Sequence, residues 1–362
     1  YSGGASCPAL LLEPQRTNML IQSEYFDGTG WSKNGGITTT INTSAVQSPE
    51  GLYNATLLTS ANATSEQQML VSSLSTTSGT SYAFSVIAKK KDYDFIHLRF
   101  QGSGSAFAAG SVYFNISSGS VGHEDSGKTG YIEDYGNGWY RCTAVATATA
   151  TSSGAACRVQ LASSDNASNV VGDGVKGTYV YGATFEAGSY PTSYIPTYGT
   201  SVTRSADSCT DAGDADVFDS TQGVLYTELS RFDVDGLTDF CAIGLSDGTS
   251  DNEVVFKFRN YRNVFYTTIK SSNGSTRVDI NHTFSDLAEN TKIALKYRAN
   301  DFALWVNGVE VATSSNGNAP VGLNKLNFSS AANTEPFNGY VRQVLTFKTA
   351  LTNAELAALT TL

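Results

Sequence analysis

Two short stretches of the chain surround an aromatic ring with polar groups. Arg259-Asn260-Tyr261-Arg262-Asn263 sets Tyr261 among arginines and asparagines at a hairpin tip, and Lys91-Asp92-Tyr93-Asp94-Phe95 sets Tyr93 between two aspartates. An exposed ring flanked by planar polar side chains is suited to holding a sugar, because the ring stacks on the apolar pyranose face while the polar groups meet hydroxyls at the rim. Tyr261, Arg259, Asn260, Arg262, Tyr93 and Asp92 are therefore the candidate carbohydrate contacts. The plainer reading is that tip aromatics pack their own loops. Acidic loops offer a second chemistry. Asp233, Asp235 and Asp239, or Asp247 and Asp251, could supply oxygen ligands to a calcium ion. The alternative is that each Asp caps its own turn.

Signals for catalysis are weak. His97, His123 and His282 lie far apart in sequence, without an HExxH pair. His97 sits on an alternating strand and reads as structural or solvent-facing. No phosphate-cradling glycine loop precedes a helix. Glycoside hydrolysis needs two carboxylates about 5–9 Å apart. Glu228 has no acidic partner at 230 or 232, and Asp233 and Asp235 stand beside Gly236 in what reads as a loop. The expectation is a protein that is not an enzyme.

The elements that must position these residues read as strands. Lys292 to Ser315 alternates by twos: Ile293, Leu295 and Tyr297 point one way, and Phe302, Leu304 and Val306 resume the pattern. Asn307-Gly308 then breaks the run as a two-residue hairpin turn, since both residues tolerate positive φ. That turn pairs Val306 with Val309 and Leu304 with Val311. A meander with one apolar side needs a cover, and a second sheet supplies it. Composition agrees: 19 Tyr and 18 Phe against 2 Met favour strands. The net charge of −10 lacks any basic stripe, so a nucleic-acid partner is not expected. No apolar run approaches the ~20 residues of a spanning helix, so no membrane partner is expected either. Neither an initiator Met nor a secretory leader opens the chain, and Tyr1 reads as the start of an ordered fragment. Cys7, Cys142, Cys157, Cys209 and Cys241 are odd in number and form no CxxC, which reads as buried free thiols and fits a reducing compartment.

Along the chain, residues 1–13 read as a lead-in. From 14 to 204, short strands such as Tyr82–Lys90, Phe95–Phe100 and Cys157–Ala162 alternate with polar turns. An Asp-rich passage over 205–222 reads as a linker, and strands resume over 223–362. They end in Thr352-Asn353-Ala354-Glu355, a capping box opening one short helix. The fold class is all-β: two β-sandwich (jelly-roll) domains with one short C-terminal helix.

Particular strings carry resemblances. Asn18, Met19, Leu20, Ile21, Phe26 and Trp31 resemble the opening of jelly-roll carbohydrate-binding modules. LLLEPQRTN, GNGWYR and GATFEAGSYPTSYIPT are similar to segments of bacteriophage virion-surface proteins. Asn307-Gly308, Phe337-Asn338-Gly339 and Ala350 to Leu356 together resemble the laminin-G-like or concanavalin-A-like lectin sandwich. The resemblance implies a tail-fibre, tailspike or capsid-decoration component on the virion surface, assembled in the host cytoplasm as a homotrimer beside other virion proteins. Its implied role is non-catalytic attachment to a polysaccharide or cell-surface glycan. A purely structural capsid cement and a polysaccharide depolymerase are the alternatives.

Overall fold

The computed structural model describes residues 9–101, 106–231, 241–258, 264–270, 277–283, 290–332 and 335–362. The chain forms two compact units. The first, Gln15–Ser205, holds two six-stranded antiparallel sheets. In chain order their strands are β1 (Trp31–Asn34), β2 (Thr38–Thr40), β3 (Thr56–Thr59), β4 (Gln68–Thr76), β5 (Ser81–Lys90) and β6 (Phe95–Gln101). They continue as β7 (Gly110–Asn115), β8 (Ser120–Glu124), β9 (Lys128–Gly136), β10 (Trp139–Thr147), β11 (Ser152–Ala162) and β12 (Gly177–Ala187). One sheet runs β8-β7-β6-β11-β4-β1 and the other β9-β10-β5-β12-β3-β2. Period-two alternation fills the space between them. Phe84, Val86 and Ala88 of β5 join Ile96, Leu98 and Phe100 of β6, Val112 and Phe114 of β7, and Val159 and Leu161 of β11 in one buried cluster.

Both tryptophans of this unit serve the fold. Gly136, Asn137 and Gly138 all adopt positive φ, and their turn delivers a buried Trp139 whose Nε1–H donates to Gln47 O at 3.0 Å. Trp31 is half-buried against Phe26, with ring centroids 4.9 Å apart. Ser152 to Gly154 open β11.

Polar pins tie the ends of this unit to β12. Asn18 is fully buried and uses its whole amide: Nδ2 donates to Ala183 O (3.1 Å) and Ile195 O (2.8 Å), and Oδ1 accepts from the N–H groups of Leu20 and Phe185. Arg141 and Glu186, equally buried, sit 3.8 Å apart. Arg141 also donates to Ser85 Oγ and to the Thr192 carbonyl, and Glu186 accepts from Thr192 N–H and Oγ1. Gly182, at φ +51°, makes the bulge in β12 over which the Tyr194 ring packs.

The second unit is Ala206–Leu362 together with the strand Leu10–Leu12. One sheet runs in the order Leu10–Leu12, Gly339–Phe347, Gln222–Arg231, Thr291–Arg298, Phe302–Val306, Val309–Ser314. The other runs Arg277–Thr283, Val264–Lys270, Glu253–Phe258, Cys241–Ser246, Lys325–Asn327. Asn307 and Gly308 have φ of 46° and 86°, so the expected turn forms and Val306 pairs with Val309. A bulge between Leu304 and Trp305 shifts the register, and Leu304 pairs with Ala312, not Val311. The capping box is present in both directions at α1 (Asn353–Thr360). Leu356 of α1 shares an apolar cluster with Val224, Tyr226 and Trp305, which buries Trp305 between sheet and helix.

Two segments differ from their sequence reading. Leu10–Leu12, inside the expected lead-in, is an edge strand paired with Gly339–Phe347. The expected linker is packed: Phe218 lies in the second core, Tyr297 Oη donates to Asp219 O at 2.7 Å, and Leu323 N–H donates to Ser220 Oγ. Apolar residues inside the Asp-rich run outweigh its composition. Of the thiols, Cys142, Cys157 and Cys241 are buried and Cys209 half-buried, all unbridged, while Cys7 lies outside the described residues. Burial pushes the Cys142 and Cys157 thiols up, keeping them protonated.

Replacing Asn18 by Ala leaves two buried N–H groups and two carbonyls without that partner. Unpaired buried groups cost about 1–3 kcal/mol each. The Asn18→Ala variant is expected to lose about 3 kcal/mol or more in the first unit's urea transition; a loss under about 1 kcal/mol would contradict the pinning role.

Candidate functional site

The outward side of the β8-β7-β6-β11-β4-β1 sheet carries long polar residues where its inward side carries the core. Register sets them in two rows across four strands. Tyr113 of β7, His97 of β6, Gln160 of β11 and Gln68 of β4 stand side by side. Two residues along each strand, Ser111, Arg99, Arg158 and Leu70 form the parallel row. Neighbours within a row are about 4.8 Å apart across the strands, and the rows are about 7 Å apart along them.

The two rows differ in how well they are paired. Arg158 is saturated: Nε donates to Gln101 Oε1 at 3.0 Å, and Nη1 to Gln68 Oε1 at 3.0 Å and Glu66 Oε2 at 3.2 Å. Beside it, His97 and Gln160 are 0% exposed, yet neither ring nitrogen and neither amide atom has a hydrogen-bond partner among the described residues. Ser111 Oγ, 1% exposed, is likewise unpartnered, although its N–H donates to Asp125 Oδ2 at 2.8 Å. Buried polar groups in folded proteins are nearly always paired, so three adjacent side chains with five orphan atoms are unusual.

Tyr113 stacks flat on His97, with centroids 4.4 Å apart and planes 6° apart. The chain after β11 spans β6 and β7 to reach β8, where His123 N–H donates to Asp165 Oδ1 at 2.8 Å. Burial, helped by the Arg99 and Arg158 guanidiniums and opposed by Asp125, pushes the His97 imidazole down to about 3. The ring is therefore neutral at ordinary pH, with one donor and one acceptor nitrogen. The Gln160 amide likewise offers both. The ring is a poor proton acceptor for catalysis, and the nearby carboxylates are occupied: Glu66 by Arg158, Asp125 by Ser111 N–H and His123.

The sequence candidates fare differently. Tyr261, Arg259, Asn260 and Arg262 lie outside the described residues, as do Asp233, Asp235 and Asp239. Tyr93, expected as an exposed ring, is instead only 6% exposed. Its hydroxyl lies 3.0 Å from Ser60 Oγ and 3.1 Å from Val171 O, so the ring packs its own loop and offers no stacking face. Asp92 accepts from Gly177 N–H at 2.9 Å and pairs with Lys91, which commits it to that turn. Asp247 accepts from Thr249 N–H and Asn252 Nδ2, as a turn-capping Asp does. No three His, Cys, Asp or Glu side chains converge among the described residues. A cavity of about 280 Å³ opens beside Lys89, Lys90, Lys91, Ser117 and Tyr140, but its lysines are held by Asn137 O, Asp94 and Asp92. Sequence reasoning missed the orphan row because His97 and Gln160 alternate with core residues in strands that also read as ordinary sandwich strands.

Residues 231–357, within the second unit, match the laminin-G-like family model described as the concanavalin A-like lectin/glucanases superfamily. No curated protein matches the chain. Among solved structures, the CBM40 of the Ruminococcus gnavus IT-sialidase bound to α2,3-sialyllactose is 17% identical, covering 40% of this chain and 86% of that one at a TM-score of 0.34. Mouse laminin α1 domains LG4-5 are 9% identical, covering 80% and 89% at 0.29. The NanB sialidase of Streptococcus pneumoniae is 12% identical, covering 39% and 24% at 0.33. At such scores nothing about this chain is inferred from them.

The depressed His97 has a thermodynamic signature. Its folded value of about 3 lies below the ordinary 6.5, so between these the unfolded chain binds one proton more, and stability falls as pH drops below 6.5. At pH 5.0 this amounts to about 2 kcal/mol relative to the plateau above 6.5, at about 1.4 kcal/mol per pH unit. Urea unfolding at pH 7.5, 6.0 and 5.0 is expected to show His97→Gln losing that much less than the parent. Equal pH slopes would contradict a buried neutral imidazole.

Proposed function

We propose that this protein is a non-catalytic glycan-recognition component of a bacteriophage particle. Its lectin-like second sandwich is the module facing polysaccharide. The observation that carries the reading is the lectin superfamily match over residues 231–357, which supports carbohydrate as the partner. The strings LLLEPQRTN, GNGWYR and GATFEAGSYPTSYIPT support the virion setting and, with it, a trimer beside other virion proteins. A single sandwich site is weak alone, and several copies on one particle raise avidity through effective concentration.

Gln160→Met keeps side-chain length and removes two buried unpaired atoms, so it is expected to stabilise the first unit by about 1–3 kcal/mol in urea unfolding; a destabilised variant would contradict this. On a glycan array the full chain is expected to bind at least one polysaccharide fragment. A parent that binds no glycan would leave the purely structural role on the particle, and release of new reducing ends or unsaturated uronates would favour a depolymerase.

A further inference from the structure

At one end of the first unit three phenols meet one carboxylate. Tyr181 of β12, and Tyr194 and Tyr198 beyond it, all donate to Glu24 Oε1, at 3.2, 3.1 and 3.0 Å. Backbone bonds fix the segments that carry them: Gln22 pairs with Tyr198 in an antiparallel bridge, and Gly199 N–H donates to Ile21 O at 2.6 Å. The three rings are not alike. Tyr181 is buried with Trp139, and Tyr194 packs on the same cluster. Tyr198 is 72% exposed, although its hydroxyl is tied to Glu24. Its ring is therefore open to solvent and already held at one end, which lowers the ordering cost of laying a ligand on it. Tyr25, 48% exposed, is a second open ring on the same segment; it lies so close to Gly28 that a Cβ there would come within 2.8 Å of it.

The acids around Tyr198 are not neutralised. Neither half-buried Glu24 nor exposed Glu50 forms an ion pair among the described residues, and Glu24 Oε2 accepts no hydrogen bond among them. Glu50 accepts from Asn54 Nδ2 at 3.4 Å, and its charge acts on the Tyr181 and Tyr198 phenols. Burial at its hydroxyl end, then Glu24 and Glu50, push Tyr198 up to about 12, so the phenol remains a donor at ordinary pH and the ring stays anchored.

Resting on the glycan reading above, we infer that Tyr198, Glu24 and Glu50 form a sugar platform on the first unit, and that it takes a neutral glycan. The apolar face of a pyranose lies on the Tyr198 ring, and its hydroxyls donate to Glu24 Oε2 and to Glu50 at the rim. An ionised carboxylate only accepts, which suits a ligand that presents hydroxyl donors. Two unpaired negative charges beside the ring repel a uronate or a sulfate, so Glu24 and Glu50 set the specificity.

The test uses the full chain and a panel of neutral glucan, galactan and mannan fragments, each paired with a counterpart oxidised at C6 to the uronate. Both members are titrated against the parent, Tyr198→Ala, Tyr198→Phe and Glu50→Gln. Thermal unfolding checks the variants; because the Tyr198 ring stands mostly in water, Tyr198→Ala is expected to melt within about 2 °C of the parent. The parent is expected to bind at least one neutral member about ten-fold or more tighter than its uronate. Tyr198→Ala is expected to weaken that binding about ten-fold or more, and Tyr198→Phe, which keeps the ring and drops its anchor, about two- to five-fold. Glu50→Gln is expected to narrow the gap between neutral and uronate members. A neutral fragment that binds Tyr198→Ala as tightly as the parent would overturn the platform and leave the glycan reading on the second unit. Tighter binding of the uronates, lost in Tyr198→Ala, would keep the ring and overturn the neutral ligand. No binding by any member would remove the glycan reading and the platform with it.

Discussion

A polar atom that folding withdraws from water must find a partner or cost free energy, and a β-sandwich forces that choice at every second residue. The first unit makes it in two ways. Asn18 and the Arg141–Glu186 pair are buried and richly bonded, and they tie the segments around residues 18–20 and 192–197 to one sheet. His97, Gln160 and Ser111, on the outward side of the other sheet, are buried just as deeply and left unmatched. Replacing buried pairs by apolar groups is often neutral or favourable, so the unmatched row is not needed to close the fold.

The two sheets differ in degree. In the β9-β10-β5-β12-β3-β2 sheet Arg141 and Glu186 bond to the strap at Thr192, while the Thr56 and Thr178 hydroxyls are buried without a partner among the described residues. In the β8-β7-β6-β11-β4-β1 sheet Tyr113 stacks on His97, which stands beside Gln160. The second unit, with its lectin-superfamily match, buries Trp305 beneath α1.

Much of the architecture was legible because local rules and global packing agreed. Asn307-Gly308 requires positive φ twice and receives it. The Thr352–Glu355 capping box forms as written. The failures have physical causes. The Leu304 bulge moves the register by one residue, which alternation cannot foresee. Phe218 draws an Asp-rich passage into a core, so composition misled. Tyr93 looked like a tip ring because its neighbours are charged, but Ser60 and Val171, distant in sequence, bury it. The orphan row was invisible for the same reason: which polar residues find partners depends on strands far apart in the chain. Only register brings Gln160 beside His97.

Titration of the full chain against a panel of polysaccharide fragments is the direct test of glycan recognition by this protein. Saturable binding of at least one fragment is the expected result, and no binding of any fragment up to about 1 mM would contradict it.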